Sequence, residues 1–165
     1  MEIQHFGMLS PVGKLIVSAT STAIKMVRFA ADDFTEPLQT GYTGDQFLLA
    51  EECKSQLQAY FTSKLKYFQL PLEPDGTVFQ KRVWSILHQI PFGITISYAQ
   101  LANKLGDKNL IRAVGSANAK NPIAIIIPCH RVIGTSGDLT GYAGGLWRKK
   151  FLLDLEQPEK QALLF

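Results

Sequence analysis

The most informative stretch of this chain is Ile127-Pro128-Cys129-His130-Arg131-Val132. It follows an apolar run, residues 123–127, that lacks the polar alternation of a half-exposed strand. We therefore expect the run to be buried whatever its backbone geometry. The buried run therefore leads directly to Cys129, a thiol that is followed in the sequence by a possible base, His130.

Cys129 is a candidate nucleophile because a histidine follows it. Thiols react as thiolates, and a free cysteine has a pKa of about 8.5, so a base or a cation is needed near neutral pH. His130 could take the proton through a bridging water, and a carboxylate would then be needed to orient the imidazole. The sequence offers Asp138, Asp154 and Glu156 for this role and does not choose among them.

The alternative for any cysteine is a small apolar residue in a core. Cys53 fits that alternative better than Cys129, because it lies at helical spacing from Leu49 and Leu57 and has no base beside it. The two cysteines are far apart, neither belongs to a CxxC pair, and the three histidines are scattered. We therefore expect neither a disulfide framework nor a metal site.

The composition is that of a globular protein, with 46% apolar and 19% charged residues among 165. No apolar run approaches the roughly 20 residues of a membrane helix. The first residues lack a basic stretch followed by an apolar one, so we expect no secretory signal. These features predict a protein of the cytoplasm that does not associate with membranes.

The two halves of the chain differ in charge. Residues 1–75 carry six basic and nine acidic residues, whereas residues 76–165 carry eleven and five, which gives net charges of −3 and +6. A basic half beside an acidic half suggests that the basic half meets a polyanion. Chance variation in a small domain explains the same asymmetry equally well, so charge alone decides nothing.

The first half of the sequence predicts an antiparallel sheet followed by a helix. Residues 14–19 and 24–29 are short β-prone runs bounded by turn signals. Apolar residues then recur at helical spacing from Asp45 to about Phe61, including Leu48, and residues 67–72 are a further candidate strand. Together these elements predict an α/β domain over residues 1–75.

The second half predicts a mostly helical domain over residues 76–165. Residues 77–80 and 97–100 both fit a capping box at the start of a helix. A short helix through Leu105, a glycine-containing turn and a second helix over about 110–119 form a helix-turn-helix pattern. A last helix is predicted from Leu146 to Glu156.

At these residues the sequence resembles the O6-alkylguanine-DNA alkyltransferases, also called methylated-DNA–protein-cysteine methyltransferases. The likeness covers most of residues 76–165, whereas residues 1–75 match the family only in size and in their order of strands and helix. The motifs that carry it are Pro128-Cys129-His130-Arg131-Val132, Ser97-Tyr98-x-x-Leu101-Ala102, Arg112-Ala113-Val114-Gly115, Asn121-Pro122 and Gly141-Tyr142-Ala143-Gly144-Gly145.

The resemblance implies roles for particular residues. Cys129 would accept the alkyl group, His130 would act on it through water as the base, and Glu156 would orient His130. Asn121 would lie in a hinge that joins the recognition helix to the active site. Arg112 would fill the gap that an extruded base leaves in the duplex.

The resemblance also implies the surfaces that meet the substrate. Tyr98 would press on the phosphate backbone and help to push the nucleotide out. The guanine pocket would be lined by Tyr98, Val132, Tyr142 and Ala143. The remaining residues expected to contact DNA are Ser97, Ala113, Gly115, Asn118, Lys120 and Arg131.

The chemistry of such a reaction explains why one chain would carry both a reactive thiol and a DNA-binding element. The alkylated oxygen of guanine is shielded inside a stacked duplex, so the nucleotide must be flipped out at a cost of a few kcal/mol. An arginine or an apolar wedge can fill the vacancy. Transfer to sulfur yields a thioether that no nearby base hydrolyses, so the protein would act once, as a monomer, on double-stranded DNA containing O6-alkylguanine and without a cofactor. Activity on O4-methylthymine is left open.

Two positions depart from the family pattern. Ala143 stands where several relatives place a hydroxyl that can donate to the guanine oxygen, so that contact would be lost or supplied by a backbone N–H. Asn118 is more polar than the side chain that some relatives carry on the recognition helix, and we expect it to alter groove contacts. The N-terminal half lacks the cysteines that form a zinc site in some relatives, so neither a metal nor a transcriptional role is expected.

Three other functions fit part of the sequence. A damage-recognition protein of the alkyltransferase-like type would replace the acceptor cysteine, but Cys129 is present. A helix-turn-helix regulator would explain the basic half and the capped helices and leave Pro128-Cys129-His130-Arg131 without a purpose. A cysteine hydrolase would use Cys129 and His130 and leave the helix-turn-helix without one.

Overall fold

The computed structural model of the protein describes residues 2–31 and 44–157. The chain divides into two compact units. The first consists of Met1–Asp75 with Pro122–Ala124, and the second of Gly76–Asn121 with Ile125–Phe165. The sequence predicts a division after residue 75, and it places residues 122–124 in the helical part. These three residues instead pair with a strand of the first unit.

The first unit contains a three-stranded antiparallel sheet and one helix. Its strands β1 (Gln4–Ser10), β2 (Gly13–Ala19) and β3 (Ile24–Phe29) lie in sequence order, and the helix α1 (Asp45–Phe61) packs on β1 and β2. A two-residue turn joins β1 to β2, and β2 begins at Gly13, whose φ of 98° is one that glycine reaches without a steric penalty. The predicted α/β order of the N-terminal part is confirmed.

Residues 122–124 join the first unit through β3. The backbone N–H of Val27 donates to the Pro122 carbonyl at 3.0 Å, and the Ala124 N–H donates to the Val27 carbonyl at 2.9 Å. Ile123 thereby forms a parallel bridge with Val27 and is fully buried. The apolar run is buried as predicted, and its first part satisfies backbone groups at the edge of the sheet.

Two details of the first unit differ from the sequence prediction. Leu48 is 64% exposed because it lies on the outer face of α1, whereas Ala50, Cys53, Leu57 and Tyr60 are buried on the inner face. The candidate strand at residues 67–72 is wrong: it is reduced to a bridge between Leu72 and Ile24. Pro71 has no N–H to contribute to a ladder, so it supplies only its carbonyl, which accepts from Ile24 at 2.8 Å.

The second unit is mostly helical. Its helices are α2 (Val78–His88), α3 (Tyr98–Lys104), α4 (Ile111–Ala119) and α5 (Leu146–Leu155). A short parallel pair, β4 (Ile96–Ser97) and β5 (Val132–Ile133), joins the start of α3 to the segment that follows Cys129. The predicted helical C-terminal part is confirmed.

Both predicted capping boxes are present. Thr77 caps α2 and Ser97 caps α3, and each hydroxyl accepts from the backbone N–H three residues later at 3.1 Å. A glycine turn and a 3-10 segment, Lys108–Leu110, then lead into α4, which begins one residue later than predicted. These elements form the helix-turn-helix of α3 and α4.

A buried indole holds α4 in the second unit. The Trp84 Nε1–H of α2 donates to the Ala117 carbonyl of α4 at 2.8 Å, and both residues are buried. Val114 and Ala117 form the inner face of α4, which leaves the opposite face exposed. None of the helices in residues 2–31 and 44–157 is long and apolar enough to cross a membrane.

Candidate active site

Cys129 lies at the start of a short 3-10 turn, Cys129–Arg131, at the end of the apolar run. The turn is preceded by Ile125, whose φ of 71° is rare for a β-branched residue and costs about 1–3 kcal/mol. The Asn121 amide donates to the Ile127 carbonyl at 2.7 Å and so fixes the loop between these residues. The strained backbone is thus held by the side chain of Asn121, which follows α4 and for which the resemblance implied a hinge.

His130 and Glu156 form the pair expected from the resemblance. His130 Nε2 lies 2.8 Å from Glu156 Oε1, and both side chains are at most 1% exposed. The other candidate carboxylates are engaged elsewhere, since Asp154 pairs with Lys150 and Asp138 accepts from the Ser136 hydroxyl. The choice that the sequence left open is therefore settled by geometry.

Arg131 completes this buried network and is a correction to the sequence prediction. Its Nε donates to both Glu156 oxygens, at 3.2 and 2.9 Å, and its Nη2 donates to Oε1 at 2.7 Å. Its Nη1 donates to the Ile90 carbonyl at 2.6 Å. These bonds engage the guanidinium, and only 6% of the residue is exposed. Arg131 therefore neutralises Glu156 and is not available for the DNA contact that the resemblance implied.

The network fixes the protonation states of Glu156 and His130. Burial raises the pKa of Glu156, but hydrogen bonds from His130 and Arg131 outweigh it and bring the pKa to about 2. Burial lowers the pKa of His130 and so favours the neutral imidazole. The Nε2–H of His130 donates a hydrogen bond to the Glu156 carboxylate. Nδ1, which is buried and has no hydrogen-bond partner among the described residues, is then the basic nitrogen.

The surroundings of Cys129 favour its protonated thiol. Burial raises its pKa, although a hydrogen bond from the Asn121 side chain, the charge of Lys149 and the backbone N–H groups of residues 129 and 130 act in the opposite direction. The residue is 7% exposed. A thiol in this state needs a base at the moment of attack, and the unpartnered Nδ1 atom of the adjacent His130 is a candidate for it.

The exposed face of α4 carries the residues predicted to meet DNA. Arg112, Ala113 and Lys120 are exposed there, and Gly115 is half-buried beside the Tyr98 ring. Ser97 is half-buried and its hydroxyl is occupied as the cap of α3. The geometry therefore leaves the charges of Arg112 and Lys120 available to a polyanion.

Asn118 faces the interior, which corrects the expectation that it alters groove contacts. The residue is 3% exposed, and its amide donates to the Cys129 carbonyl at 3.5 Å. Helix geometry explains the difference, because position 118 lies four residues after the buried Val114 and shares its face.

The residues predicted to line the guanine pocket differ in their exposure. Val132 is buried, Tyr142 is half-buried, and Ala143 is exposed on the loop that leads to α5. Tyr98 is half-buried, and its hydroxyl donates to the Thr140 carbonyl at 3.3 Å. The pKa of Tyr142 is raised well above its usual value, chiefly by burial, and a thiolate at Cys129 would act in the same direction.

The sequence analysis did not identify Lys149 as a site residue. In the sequence it is the middle one of three consecutive basic residues. The side chain is fully buried, and its Nζ donates to the carbonyls of Val132 and Thr140 at 2.6 and 2.9 Å. The signal that could have found it is spacing: Lys149 lies seven residues, about two helical turns, before Glu156, and therefore faces the same side of α5. Within the described residues, no group of three possible ligands could hold a metal ion.

Known proteins match both units of the chain. Residues 78–158 match the family described as the 6-O-methylguanine DNA methyltransferase DNA-binding domain, and residues 8–74 match its ribonuclease-like domain. A methylated-DNA–protein-cysteine methyltransferase of Methanosarcina acetivorans is 44% identical over 89% of this chain and 94% of that protein. One from Mycobacterium leprae is 47% identical over 90% of this chain and 88% of that protein.

Solved structures agree with these sequence matches. The crystal structure of the Mycobacterium tuberculosis O6-methylguanine methyltransferase superposes with a TM-score of 0.81 at 42% identity, covering 95% of this chain and 94% of that one. A structure of the same organism's OGT in complex with DNA gives the same TM-score over 93% and 92% of the two chains. Fold and site together define a protein that combines a helix-turn-helix with a buried cysteine followed by a buried His–Glu pair. The chain belongs to the O6-methylguanine-DNA methyltransferase family.

Proposed function

We propose that this protein repairs DNA by moving the alkyl group of an O6-alkylguanine to Cys129, once per molecule. The observation that carries the proposal is the relay Cys129, His130 and Glu156 within the same unit as the helix-turn-helix. A neutral imidazole beside a protonated thiol is suited to generating a thiolate when a substrate arrives. The relatives at about 45% identity are named for this reaction.

The transfer balances without any further reactant. His130 Nδ1 takes the thiol proton, through a bridging water, while the sulfur attacks the alkyl carbon. The S–C bond forms as the O6–C bond breaks, and its electron pair stays on the guanine oxygen. The guanine anion then takes up one proton from solvent and the His130 imidazolium returns the thiol proton to solvent, so the proton count is unchanged, and the DNA itself is the alkyl donor.

The substrate has to leave the duplex before it can reach Cys129. The thiol is 7% exposed, whereas the alkyl carbon of a stacked guanine lies inside the helix. We propose that α4 lies in the minor groove, that Tyr98 presses on the phosphate backbone and that Arg112 fills the vacated position. The pocket for the flipped base would then be bounded by Val132, Tyr142 and Ala143, and one monomer would suffice.

Labelled DNA tests the proposed function directly. Duplex DNA carrying O6-methylguanine with a labelled methyl group is incubated with the protein, and label is counted on protein and DNA. We expect at most one label per molecule, with the signal reaching a plateau that scales with protein concentration. A helix-turn-helix regulator would bind the DNA without acquiring label, and a hydrolase would release label over many turnovers; either result would reject the proposal.

Substitution of Arg112 by alanine tests the role of base extrusion. We expect repair of duplex DNA to slow by about tenfold or more, because flipping costs a few kcal/mol and tenfold corresponds to about 1.4 kcal/mol. The reaction with free O6-methylguanine base should change little. Arg82→Ala, which removes an exposed arginine of α2, is the matched control. Equal slowing of the duplex and free-base reactions would remove Arg112 from the extrusion step.

A further inference from the structure

Lys149 is a buried cation to which the relay of Cys129, His130 and Glu156 gives no role. Placing an ammonium group out of contact with water is costly unless it is hydrogen-bonded and compensated. Lys149 is 0% exposed, and its pKa is lowered by burial. Within the part of the chain that the structure describes, no carboxylate lies within ion-pair distance of Lys149, so its positive charge is not compensated by an ion pair there.

The hydrogen bonds of Lys149 join the two segments that flank the site. One goes to Val132, which follows the turn that carries Cys129, and the other goes to Thr140, which precedes the loop of Tyr142. The Thr140 carbonyl also accepts from the Tyr98 hydroxyl, and Nζ lies 5.9 Å from the centre of the Tyr98 ring. We call residues 129–132 the acceptor segment and residues 140–143 the pocket loop. One ammonium group therefore connects the acceptor segment, the pocket loop and Tyr98.

The charges around Cys129 leave Lys149 as the one uncompensated group in this cluster of described residues. Arg131 and Glu156 neutralise each other, and His130 is neutral at rest. The groups that face Lys149 are Cys129 and His130 from the turn and Tyr98 from α3. A thiolate at Cys129 would pair with the ammonium, and an imidazolium at His130 would pair with Glu156.

We propose that Lys149 is a positioning residue that ties the acceptor segment to the pocket loop and serves as the counter-ion of the Cys129 thiolate as it forms. This inference rests on the proposed function for its purpose. The step moves one proton from the Cys129 sulfur to His130 Nδ1 and creates two opposite charges. Glu156 compensates the positive one and Lys149 the negative one. The pairing with Lys149 ends when the sulfur becomes a neutral thioether, and the pairing with Glu156 ends when the imidazolium releases its proton.

The thiol titration measures this role without DNA. In a Cys53→Ala background, the rate of Cys129 alkylation by iodoacetamide is followed against pH. Lys149→Met should move the midpoint upward by about one pH unit, which means tenfold less thiolate at a given lower pH. Lys149→Arg, which keeps the charge, should restore most of the shift. Lys150→Met, which removes a neighbouring exposed lysine, should leave the midpoint unchanged.

A second measurement applies if Lys149→Met does not fold. The ¹³Cε resonance of Lys149 is titrated in the wild-type protein and in Cys129→Ser, which removes the thiolate and keeps the lysine. We expect the pKa of Lys149 to be lower in Cys129→Ser, because the charge of the thiolate raises it. Identical lysine titrations, or a folded Lys149→Met protein with an unmoved thiol midpoint, would overturn the proposal. Neither measurement involves repair, so failure of label transfer from DNA would be seen separately.

Discussion

Cys129→Ser should acquire no label from DNA containing O6-methylguanine. A serine hydroxyl is far less acidic than a thiol, and the neutral His130 beside it is too weak a base to ionise it. The substitution removes no charge and barely changes the volume at a buried position, so the helix-turn-helix should persist. We therefore expect binding to the same duplex to remain within about threefold of wild type, about 0.6 kcal/mol.

Cys53→Ala is the matched control for this substitution. Cys53 is equally a buried cysteine, but it lies on the inner face of α1, and burial raises its pKa to about 12. It should lose some stability through the small cavity and still accept one label per molecule. Label transfer by Cys129→Ser, or its loss in a folded Cys53→Ala protein, would contradict the assignment of the acceptor.

Glu156→Gln should destabilise the protein and slow the transfer together. The substitution leaves Arg131 buried without its counter-ion, and breaking a buried pair in this way costs about 3–5 kcal/mol. For a chain of this size, that corresponds to a fall in Tm of about 6–20 °C. It also removes the group that compensates an imidazolium at His130, so the apparent pKa of Cys129 should rise.

Acid sensitivity gives an independent signature of Glu156. Its pKa is about 2 in the folded protein and about 4.3 in an unfolded chain. A depressed carboxylate contributes stability that is present above pH 4.3 and is lost as the pH falls toward 2. The free energy of unfolding should therefore fall more steeply over this range in the wild-type protein than in Glu156→Gln.

Asp154→Asn provides the comparison for Glu156→Gln on the same helix. It removes the same charge, but from a partly exposed pair with Lys150, which is expected to contribute less than about 1 kcal/mol. Its Tm and the Cys129 titration should stay near the wild-type values. A Glu156→Gln protein that behaves like Asp154→Asn in both measurements would remove Glu156 from the relay.

Local sequence signals were sufficient for much of the fold. The capping boxes at Thr77 and Ser97 predicted where α2 and α3 begin, because a cap depends on residues three positions apart. The period of apolar residues predicted α1 from Asp45 to Phe61. Such signals fail for a strand, which forms only if a distant segment pairs with it. Residues 67–72 have the composition of a strand, but Pro71 has no N–H to donate, and only a bridge between Leu72 and Ile24 forms.

The candidate site also has some features that the sequence determined and others that only the tertiary structure decided. The sequence by itself determined that Cys129 and His130 are adjacent, and the family motifs around them are specific enough to indicate the reaction. The tertiary structure decided that Glu156 and not Asp138 or Asp154 meets His130, and that Arg131 and Asn118 face inward. It also decided that Lys149 is buried with its ammonium group on the Val132 and Thr140 carbonyls. The reason is physical: a charged side chain acquires its role from burial and from partners far along the chain, and neither is encoded in its immediate neighbours.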